Sequence, residues 1–242
     1  MNSLEITVRD LVIANRVLAD QGVVDAFGHV SVRHPQNPER YLQSCSRSPE
    51  LVQSEDIMEF NLDGTPSGED RRQPYLERFI HGAIYEARPD IHAVVHSHAV
   101  DVLPFAISKS PLKPVLHNAN VIGAHIPLWD MRERFGDTNL LVVNMAQGVD
   151  VAACLGSNCV VLMRGHGFAA AARSLVEVLR ISIYLPRNAR TQLAAMQLGE
   201  IIPLSPGEIA TGLEVRADSS DMQRAWEYWA RRAGCRDMLK ER

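Results

Sequence analysis

The chain has 242 residues, 46% of them hydrophobic and 22% charged, and its formal net charge at pH 7 is −4. Because no long block of one sign occurs, this charge gives no reason to expect binding to nucleic acid or to an anionic membrane. No run of about eighteen apolar residues is present, so we expect no membrane-spanning helix. The N-terminal sequence MNSLEITVRDL lacks the features of a secretory signal, and no two cysteines form a CxxC pair. Both observations favour a protein of the reducing cytoplasm.

Hydrophobic periodicity predicts helices and strands that alternate irregularly along the chain. The predicted elements are a helix at 4–21, strands at 29–33, 41–44 and 57–62, a helix at 76–87, a strand at 91–98, a helix near 99–107, strands near 121–126 and 140–143, a helix at 146–155, a strand at 159–163, a helix at 174–199 kinked at Pro186, a connector at 203–212 and a last helix carrying Trp226 and Trp229. This alternation favours a layered α/β domain with a mixed sheet. No GxGxxG or GxxxxGKS/T motif occurs, so dinucleotide and P-loop sites have no support.

Two histidines end the apolar sequence IHAVVHSH. On an extended strand, residues i and i+2 project to the same face, so the imidazoles of His96 and His98 can reach one metal ion. His92 lies about 13 Å away along the same face, too far to share that ion, and is interpreted as structural. Taken alone, the pair is more typical of two core histidines that hydrogen-bond to the backbone.

A third histidine, His166, lies between Gly165 and Gly167 directly after another apolar strand. The two glycines permit tight turns, so the imidazole can be presented into a cleft. Three such imidazoles predict an open metal site with a position left for substrate. Glu77 begins the helix that leads into the histidine strand. It is either a proton carrier beside the metal or a first-turn glutamate favoured by the helix dipole, and the residues alone leave both open.

The segment LERFIHGAIYEARPDIHAVVHSH, together with the distant RGHG, resembles the class II aldolase/adducin family over roughly residues 5–200. The resemblance implies a three-layer α/β/α sandwich with a mixed, mostly antiparallel sheet. It implies one domain over 1–242, in which C-terminal helices at about 174–242 cover the sheet and an interface. It further implies a homotetramer with active sites at the subunit interfaces.

The same resemblance implies one divalent metal ion per subunit, bound by His96, His98 and His166, with Glu77 as the acid/base. Burial near a metal would tune the Glu77 carboxyl towards neutral pH. Three imidazoles suit Zn²⁺, Mn²⁺ or Fe²⁺, and ligand type does not select among them.

Sugar-phosphate members of the family bind phosphate through small hydroxyl-bearing and glycine-rich segments, and this chain departs from them. It has GHVSVR, SRSPE and PYLE at those places, so Tyr75 and Leu76 replace two small hydroxyl-bearing residues. Arg47 lies where a glycine-rich phosphate loop is expected, and arginine binds planar carboxylates through two hydrogen bonds. The change favours a flat polycarboxylate substrate over a phosphosugar. The alternative is that Arg47 and Arg33 are solvated loop charges.

These departures resemble the decarboxylase branch of the family, which acts on 3-hydroxy-2-methylpyridine-4,5-dicarboxylate, dihydroxyphthalates and a carboxylated hydroxymuconic ring-cleavage product. They imply a lyase that decarboxylates a small hydroxylated aromatic or dienoate dicarboxylic acid through an enolate-like anion. The substrate-binding residues implied are His29, Ser31, Arg47, Ser48, Tyr75 and Tyr184, the last from a neighbouring subunit. Two alternatives are an aldolase or epimerase acting on a sugar or hydroxy acid, and a non-catalytic adducin-like interaction domain. The adducin-like domain would be expected to lose the metal ligands.

Overall fold

A seven-stranded sheet lies at the centre of the protein, in a computed structural model that describes residues 2–213 and 219–239. The strands are His29–Arg33 (β1), Arg40–Ser44 (β2), Ile57–Asn61 (β3), Ala93–Ser97 (β4), Leu128–Trp129 (β5), Val160–Met163 (β6) and Gly167–Ala172 (β7). Their order across the sheet is β3-β2-β1-β4-β7-β6-β5. All neighbouring pairs are antiparallel except β5 and β6, which are parallel. The predicted mixed, mostly antiparallel sheet is confirmed.

The helices account for most of the remaining regular structure. They are Ser3–Asp20 (α1), Arg78–Ala87 (α2), Leu103–Ala106 (α3), Arg132–Phe135 (α4), Met145–Leu155 (α5), Leu175–Met196 (α6), Pro206–Leu213 (α7) and Ser220–Arg232 (α8). Four of them follow an Asn or Ser whose side chain accepts a hydrogen bond from the first turn, as helix N-caps do. No helix among the described residues is both long and apolar enough to cross a membrane.

The sheet separates two hydrophobic cores, because successive side chains of a strand point to opposite faces. In β4, Ala93 and Val95 belong to the core under α1, α6 and α8, whereas Val94 belongs to the core under α2 and α5. Helices therefore cover both faces, which confirms the predicted three-layer α/β/α sandwich. The predicted C-terminal helical region, 174–242, includes residues 214–218 and 240–242, which lie outside the described residues. That the whole chain forms one domain stays a prediction.

Two predicted strands and one predicted connector were wrong. Residues 121–126 are not a strand: a 3-10 helix, His117–Ile122, precedes Gly123 at φ +83°, and the strand of this region is β5. Residues 140–143 are not a strand either, because Leu140 adopts a left-handed conformation with φ +66°. The predicted connector at 203–212 contains α7.

One strand was missed altogether. β7 has the sequence GFAAAA, and alanine favours helix over strand in isolation. β7 nevertheless lies fully buried between β4 and β6 and pairs with both, so tertiary pairing overrides the local preference.

Gly167 permits the close approach of β7 to the end of β4. A Cβ atom at this position would lie 2.0 Å from the carbonyl oxygen of Ser97 and 3.0 Å from Cα of His98. We expect Gly167→Ala to lower the free energy of unfolding by about 1–3 kcal/mol, because one of the two strands must shift. Chemical denaturation measures this change.

Gly207→Ala is the matched control, since a Cβ atom there meets no heavy atom closer than 3.9 Å. It is expected to leave stability unchanged or to raise it slightly, because alanine is the better helix former. Equal stability of Gly167→Ala and the wild type would contradict the close approach.

Candidate metal centre and active site

Three histidine side chains, His96, His98 and His166, converge at one end of the β4–β7 pair; we call them the histidine cluster. Nε2 of His98 lies 3.0 Å from Nε2 of His96 and 3.0 Å from Nε2 of His166. The residues meet because antiparallel pairing sets Ser97, at the end of β4, opposite Phe168, at the start of β7. The structure thus brings together the three histidines that the sequence predicted as ligands.

The two histidines of the HxH pair differ in burial. His96 is fully buried within β4, whereas His98 follows the last strand residue and is partly exposed. The strand turns there, because the Ser97 hydroxyl donates to the carbonyl of Val23 and accepts from the N–H of Ala99. The predicted strand at 91–98 is therefore shorter than expected. His92 is exposed.

Glu77 completes the cluster from the other side. Its Oε2 lies 3.3 Å from Nε2 of His96, 3.4 Å from that of His166 and 3.8 Å from that of His98. The residue is the N-cap of α2, yet its side chain makes no capping hydrogen bond. Instead Oε1 accepts a 2.9 Å hydrogen bond from the backbone N–H of Val142. The carboxylate thus faces the histidines and does not serve the helix.

The geometry fits a bound divalent cation. One potential ligand atom from each of the four residues lies within 4.8 Å of the others. Nitrogen ligands that share an ion at about 2.0–2.1 Å lie roughly 3.0–3.4 Å apart, and the observed Nε2 separations agree.

The protonation of His96 supports the same conclusion. Its Nδ1 lies 3.0 Å from the carbonyl oxygen of Phe168, and because a carbonyl only accepts, Nδ1 carries the proton. Burial lowers the pKa of His96, so Nε2 presents a lone pair towards its neighbours. A metal ligand whose other nitrogen donates to a carbonyl is the usual orientation of histidine at metal sites.

The charge state of Glu77 follows from the imidazoles around it. Burial by itself raises the pKa of Glu77, but the imidazoles that surround Oε2 outweigh it. The resulting pKa lies below the usual range, so the residue is a carboxylate. The expected tuning towards neutral pH concerns the site with its metal bound and stays a prediction.

His29 and Tyr75 form a wall beside the histidine cluster. His29 is paired with His96 across β1 and β4, and their ring centroids are 5.1 Å apart. The ring of Tyr75 lies 4.6 Å from that of His29, and its hydroxyl donates to the carbonyl of Arg47. Burial, followed by the neighbouring His81, lowers the pKa of His29 well below its usual value.

The remaining predicted substrate residues make contacts with groups outside the histidine cluster. Ser31 is buried, and its hydroxyl contacts His81 and Tyr85. The Arg47 side chain is exposed and pairs with Asp56 at 3.3 Å. Ser48 follows it in the same loop and precedes a 3-10 turn. Arg33 is buried and donates to backbone carbonyls, including those of Ile91 and Tyr85, so it is structural and not a solvated loop charge.

Tyr184 lies in a different place within the chain. It lines a cavity of about 740 Å³ between α6 and α8, together with residues such as Arg180 and Tyr228. None of the residues lining that cavity belongs to the histidine cluster.

Sequence reasoning missed two residues of the site's surroundings, His81 and Tyr85. Both are buried on α2, where they contact Ser31. A signal was available: Glu77, His81 and Tyr85 recur every four residues and so share one face of a helix.

The fold and the cluster define an α/β protein with a candidate metal site at the end of its central sheet. The chain belongs to the family described as "Class II Aldolase and Adducin N-terminal domain", whose sequence model matches residues 9–193. The predicted family is thereby confirmed.

Proteins similar in sequence narrow the class of enzyme within this family. Decarboxylase tropJ of Talaromyces stipitatus is 32% identical, covering 93% of this chain and 93% of that protein. The 3,4-dihydroxyphthalate decarboxylase of Arthrobacter keyseri is 27% identical, with 90% of each chain covered. The solved structure of L-fuculose 1-phosphate aldolase from Glaciozyma antarctica PI12 has a TM-score of 0.73 at 23% identity, covering 96% of this chain and 90% of that one, and shows the shared fold. The relationship to the two decarboxylases makes the chain a lyase of the carboxy-lyase class.

Proposed function

We propose that the protein is a divalent-metal-dependent decarboxylase of a hydroxylated aromatic or dienoate dicarboxylic acid. The observation that carries the proposal is the convergence of the histidine cluster with the Glu77 carboxylate beside an aromatic wall. The relatives named as decarboxylases support the reaction, and one of them is named for an aromatic dicarboxylate. The four free cysteines agree with a cytoplasmic protein.

His96, His98 and His166 would hold the metal ion, which we propose to be Zn²⁺, Mn²⁺ or Fe²⁺. When bound, the ion supplies Lewis acidity that stabilises negative charge on the substrate oxygen next to the breaking carbon–carbon bond. The backbone carbonyl of Phe168 orients the His96 ring for this task.

Glu77 would move the proton. Because its carboxylate is ionised at rest, Oε2 can accept the proton of the substrate hydroxyl and then donate it to the carbon that loses CO₂. The departing carboxylate leaves its bonding electrons on the substrate, and the resulting oxyanion takes a proton from solvent. Val142 holds the other carboxylate oxygen, Oε1, so Oε2 stays directed at the substrate.

His29 and Arg47 would bind the second carboxylate of the substrate. The ring of Tyr75 packs on His29 and its hydroxyl donates to the Arg47 carbonyl, so one aromatic residue connects both groups. Ser48, next in the loop, would add a hydroxyl. Ser31 would influence substrate binding indirectly, through its hydrogen bond with His81, because its hydroxyl lies behind the wall formed by His29 and Tyr75.

We further propose a homotetramer in which Tyr184 contributes to the site of a neighbouring subunit. Tyr184 lines a cavity whose lining residues include none of the histidine cluster, and this agrees with a role in a neighbouring subunit's site.

Carbon dioxide release tests the proposed function. The protein is loaded with Zn²⁺ or Mn²⁺ and incubated with a hydroxylated pyridine dicarboxylate, a dihydroxyphthalate and a carboxylated hydroxymuconate, with a ketose phosphate as the control. We expect CO₂ from at least one dicarboxylate and no cleavage of the ketose phosphate. Cleavage of the ketose phosphate alone would replace the proposal by an aldolase.

Arg47→Ala is expected to raise KM for the dicarboxylate about ten- to a hundredfold and to leave kcat nearly unchanged. A hydrogen bond between charged groups contributes about 1.5–3 kcal/mol, and Arg47 would bind the part of the substrate that does not react. Steady-state kinetics measure both constants. Arg40→Ala is the matched control, because Arg40 is 39% exposed against 41% for Arg47 and also pairs with a carboxylate. Equal KM values for the two variants would contradict a role of Arg47 in substrate binding.

A further inference from the structure

A row of buried hydrogen bonds connects α2 to the wall of the site. The Tyr85 hydroxyl lies 2.8 Å from Oγ of Ser31, which lies 2.6 Å from Nδ1 of His81. Nε2 of His81 in turn lies 2.6 Å from Nδ1 of His29. Three of these residues are at most 1% exposed, and His29 is 4% exposed.

The protons of this row must all point in one direction. Burial, followed by repulsion from His96, lowers the pKa of His81 to about 3, so His81 is neutral and carries one ring proton. If that proton is on Nε2, it is donated to His29; if it is on Nδ1, it is donated to Ser31. Either choice fixes the direction of every other bond, because Ser31 has a single hydroxyl proton to give.

The last hydroxyl proton of the row determines which direction is adopted. Within the described part of the chain, the Ser31 hydroxyl is the acceptor beside the Tyr85 hydroxyl, because the other group that contacts it, the backbone N–H of Val94, can only donate. If Ser31 donated to Tyr85, the buried Tyr85 proton would have no acceptor, at a cost comparable to a lost hydrogen bond. The favoured direction therefore runs outward, from Tyr85 to Ser31, then to His81, and finally to His29.

We propose that this row holds His29 in the tautomer that carries its proton on Nε2, so that His29 presents a hydrogen-bond donor to the active site. His29 accepts at Nδ1 from His81, which leaves Nε2 as the ring nitrogen that carries the proton. Ser31, His81 and Tyr85 are positioning residues in this arrangement. The assignment of a substrate carboxylate as the acceptor of this hydrogen bond rests on the proposed function.

The tautomer has a consequence for substrate choice. An N–H directed at the site attracts a carboxylate oxygen, whereas a bare ring nitrogen would repel it. Fixing the tautomer in advance also avoids the cost of reorganising the ring when substrate arrives.

Solid-state ¹⁵N NMR of protein labelled at the histidine ring nitrogens tests the inference, because it shows which nitrogen carries the proton. The sample is the full chain supplied with Zn²⁺, and the His29 signals are assigned by their loss in His29→Gln. We expect a proton on Nε2 and none on Nδ1 of His29. A proton on Nδ1, alone or in addition to Nε2, would overturn the proposal.

Ser31→Ala tests the cause of the tautomer. It removes the hydroxyl that donates to Nδ1 of His81, so His81 can carry its proton on either nitrogen and the Nδ1–H tautomer of His29 should become populated. Tyr85→Phe keeps the ring that packs against Arg33, and the Ser31 proton then still has Nδ1 of His81 as its acceptor, so the outward direction should persist.

The matched control is Tyr41→Phe, which removes the hydroxyl of a ring stacked on the same His81 ring but outside the row, and it should leave the His29 tautomer unchanged. An unchanged tautomer in Ser31→Ala, or the same change in Tyr41→Phe, would overturn the role of the row.

Activity separates this inference from the proposed function. Ser31→Ala is expected to lower kcat/KM for the dicarboxylate roughly three- to tenfold, mainly through KM, since the hydrogen bond from His29 to the substrate is weakened. If no dicarboxylate releases CO₂ but His29 shows the Nε2 proton, the proposed function fails and the tautomer assignment stands.

Discussion

Replacing His96 with alanine is expected to abolish metal binding and turnover together. The imidazole is fully buried and oriented by the Phe168 carbonyl, so its loss removes a ligand that the fold holds in a fixed position. A Lewis acid contributes several kcal/mol to the stabilisation of the transition state, and each 1.36 kcal/mol is tenfold in rate. We therefore expect turnover to fall by about a thousandfold or more, with the metal content falling to background. Elemental analysis and the CO₂ assay measure the two effects.

His92→Ala is the matched control for this prediction. His92 precedes the same strand but its side chain is exposed, so metal content and turnover should stay at wild-type values. Because a buried histidine also supports the fold, His98→Ala provides a second variant at a partly exposed position, with the same expected loss of metal. A His96→Ala protein that lacks metal and remains active would contradict the ligand assignment.

Glu77→Gln is expected to lower kcat by about a hundred- to ten-thousandfold while the histidine cluster retains the metal. Glutamine has nearly the same shape, and its amide oxygen can still accept from the N–H of Val142. What it loses is the negative charge and the capacity to carry a proton. Single-turnover kinetics with metal-loaded protein would isolate this loss from binding.

Glu86→Gln, an exposed position on the same helix, is the control for Glu77→Gln and should leave kcat unchanged. The metal content of Glu77→Gln adds a second readout: a loss of metal would identify Glu77 as a ligand as well. A kcat within about threefold of the wild type would contradict its role as the proton carrier.

The proposed metal ligands could be picked out of the sequence because each lies beside a strong local signal. His96 ends an apolar strand and His166 lies between two glycines at the start of another. That these strands are neighbours could not be derived from periodicity, because β4 and β7 are separated by about seventy residues. The resemblance to the family supplied that pairing.

The parts that were missed depend on contacts between distant segments. The alanine-rich β7 is a strand only because β4 and β6 flank it. Residues near 140 have strand-like composition, yet the left-handed Leu140 interrupts the chain and the N–H of Val142 donates to Glu77. The pKa of Glu77 likewise depends on three imidazoles that converge only in the folded protein.

The buried polar row illustrates a different limit of sequence reasoning. His81 and Tyr85 fit the amphipathic pattern of α2 and are therefore difficult to distinguish from ordinary core residues. Their partner Ser31 was predicted to bind substrate, and the structure places its hydroxyl against them. The helix spacing from Glu77 was the available clue, but only the pairing of β1 with β4 shows that His29 is within reach.

Anomalous diffraction at the metal absorption edge, from crystals of the Zn²⁺-loaded protein, tests the central claim most directly. The account predicts one anomalous peak per chain, at about 2.0–2.1 Å from Nε2 of His96, His98 and His166. An anomalous peak at another position, or no peak at this position under saturating Zn²⁺, would contradict the account.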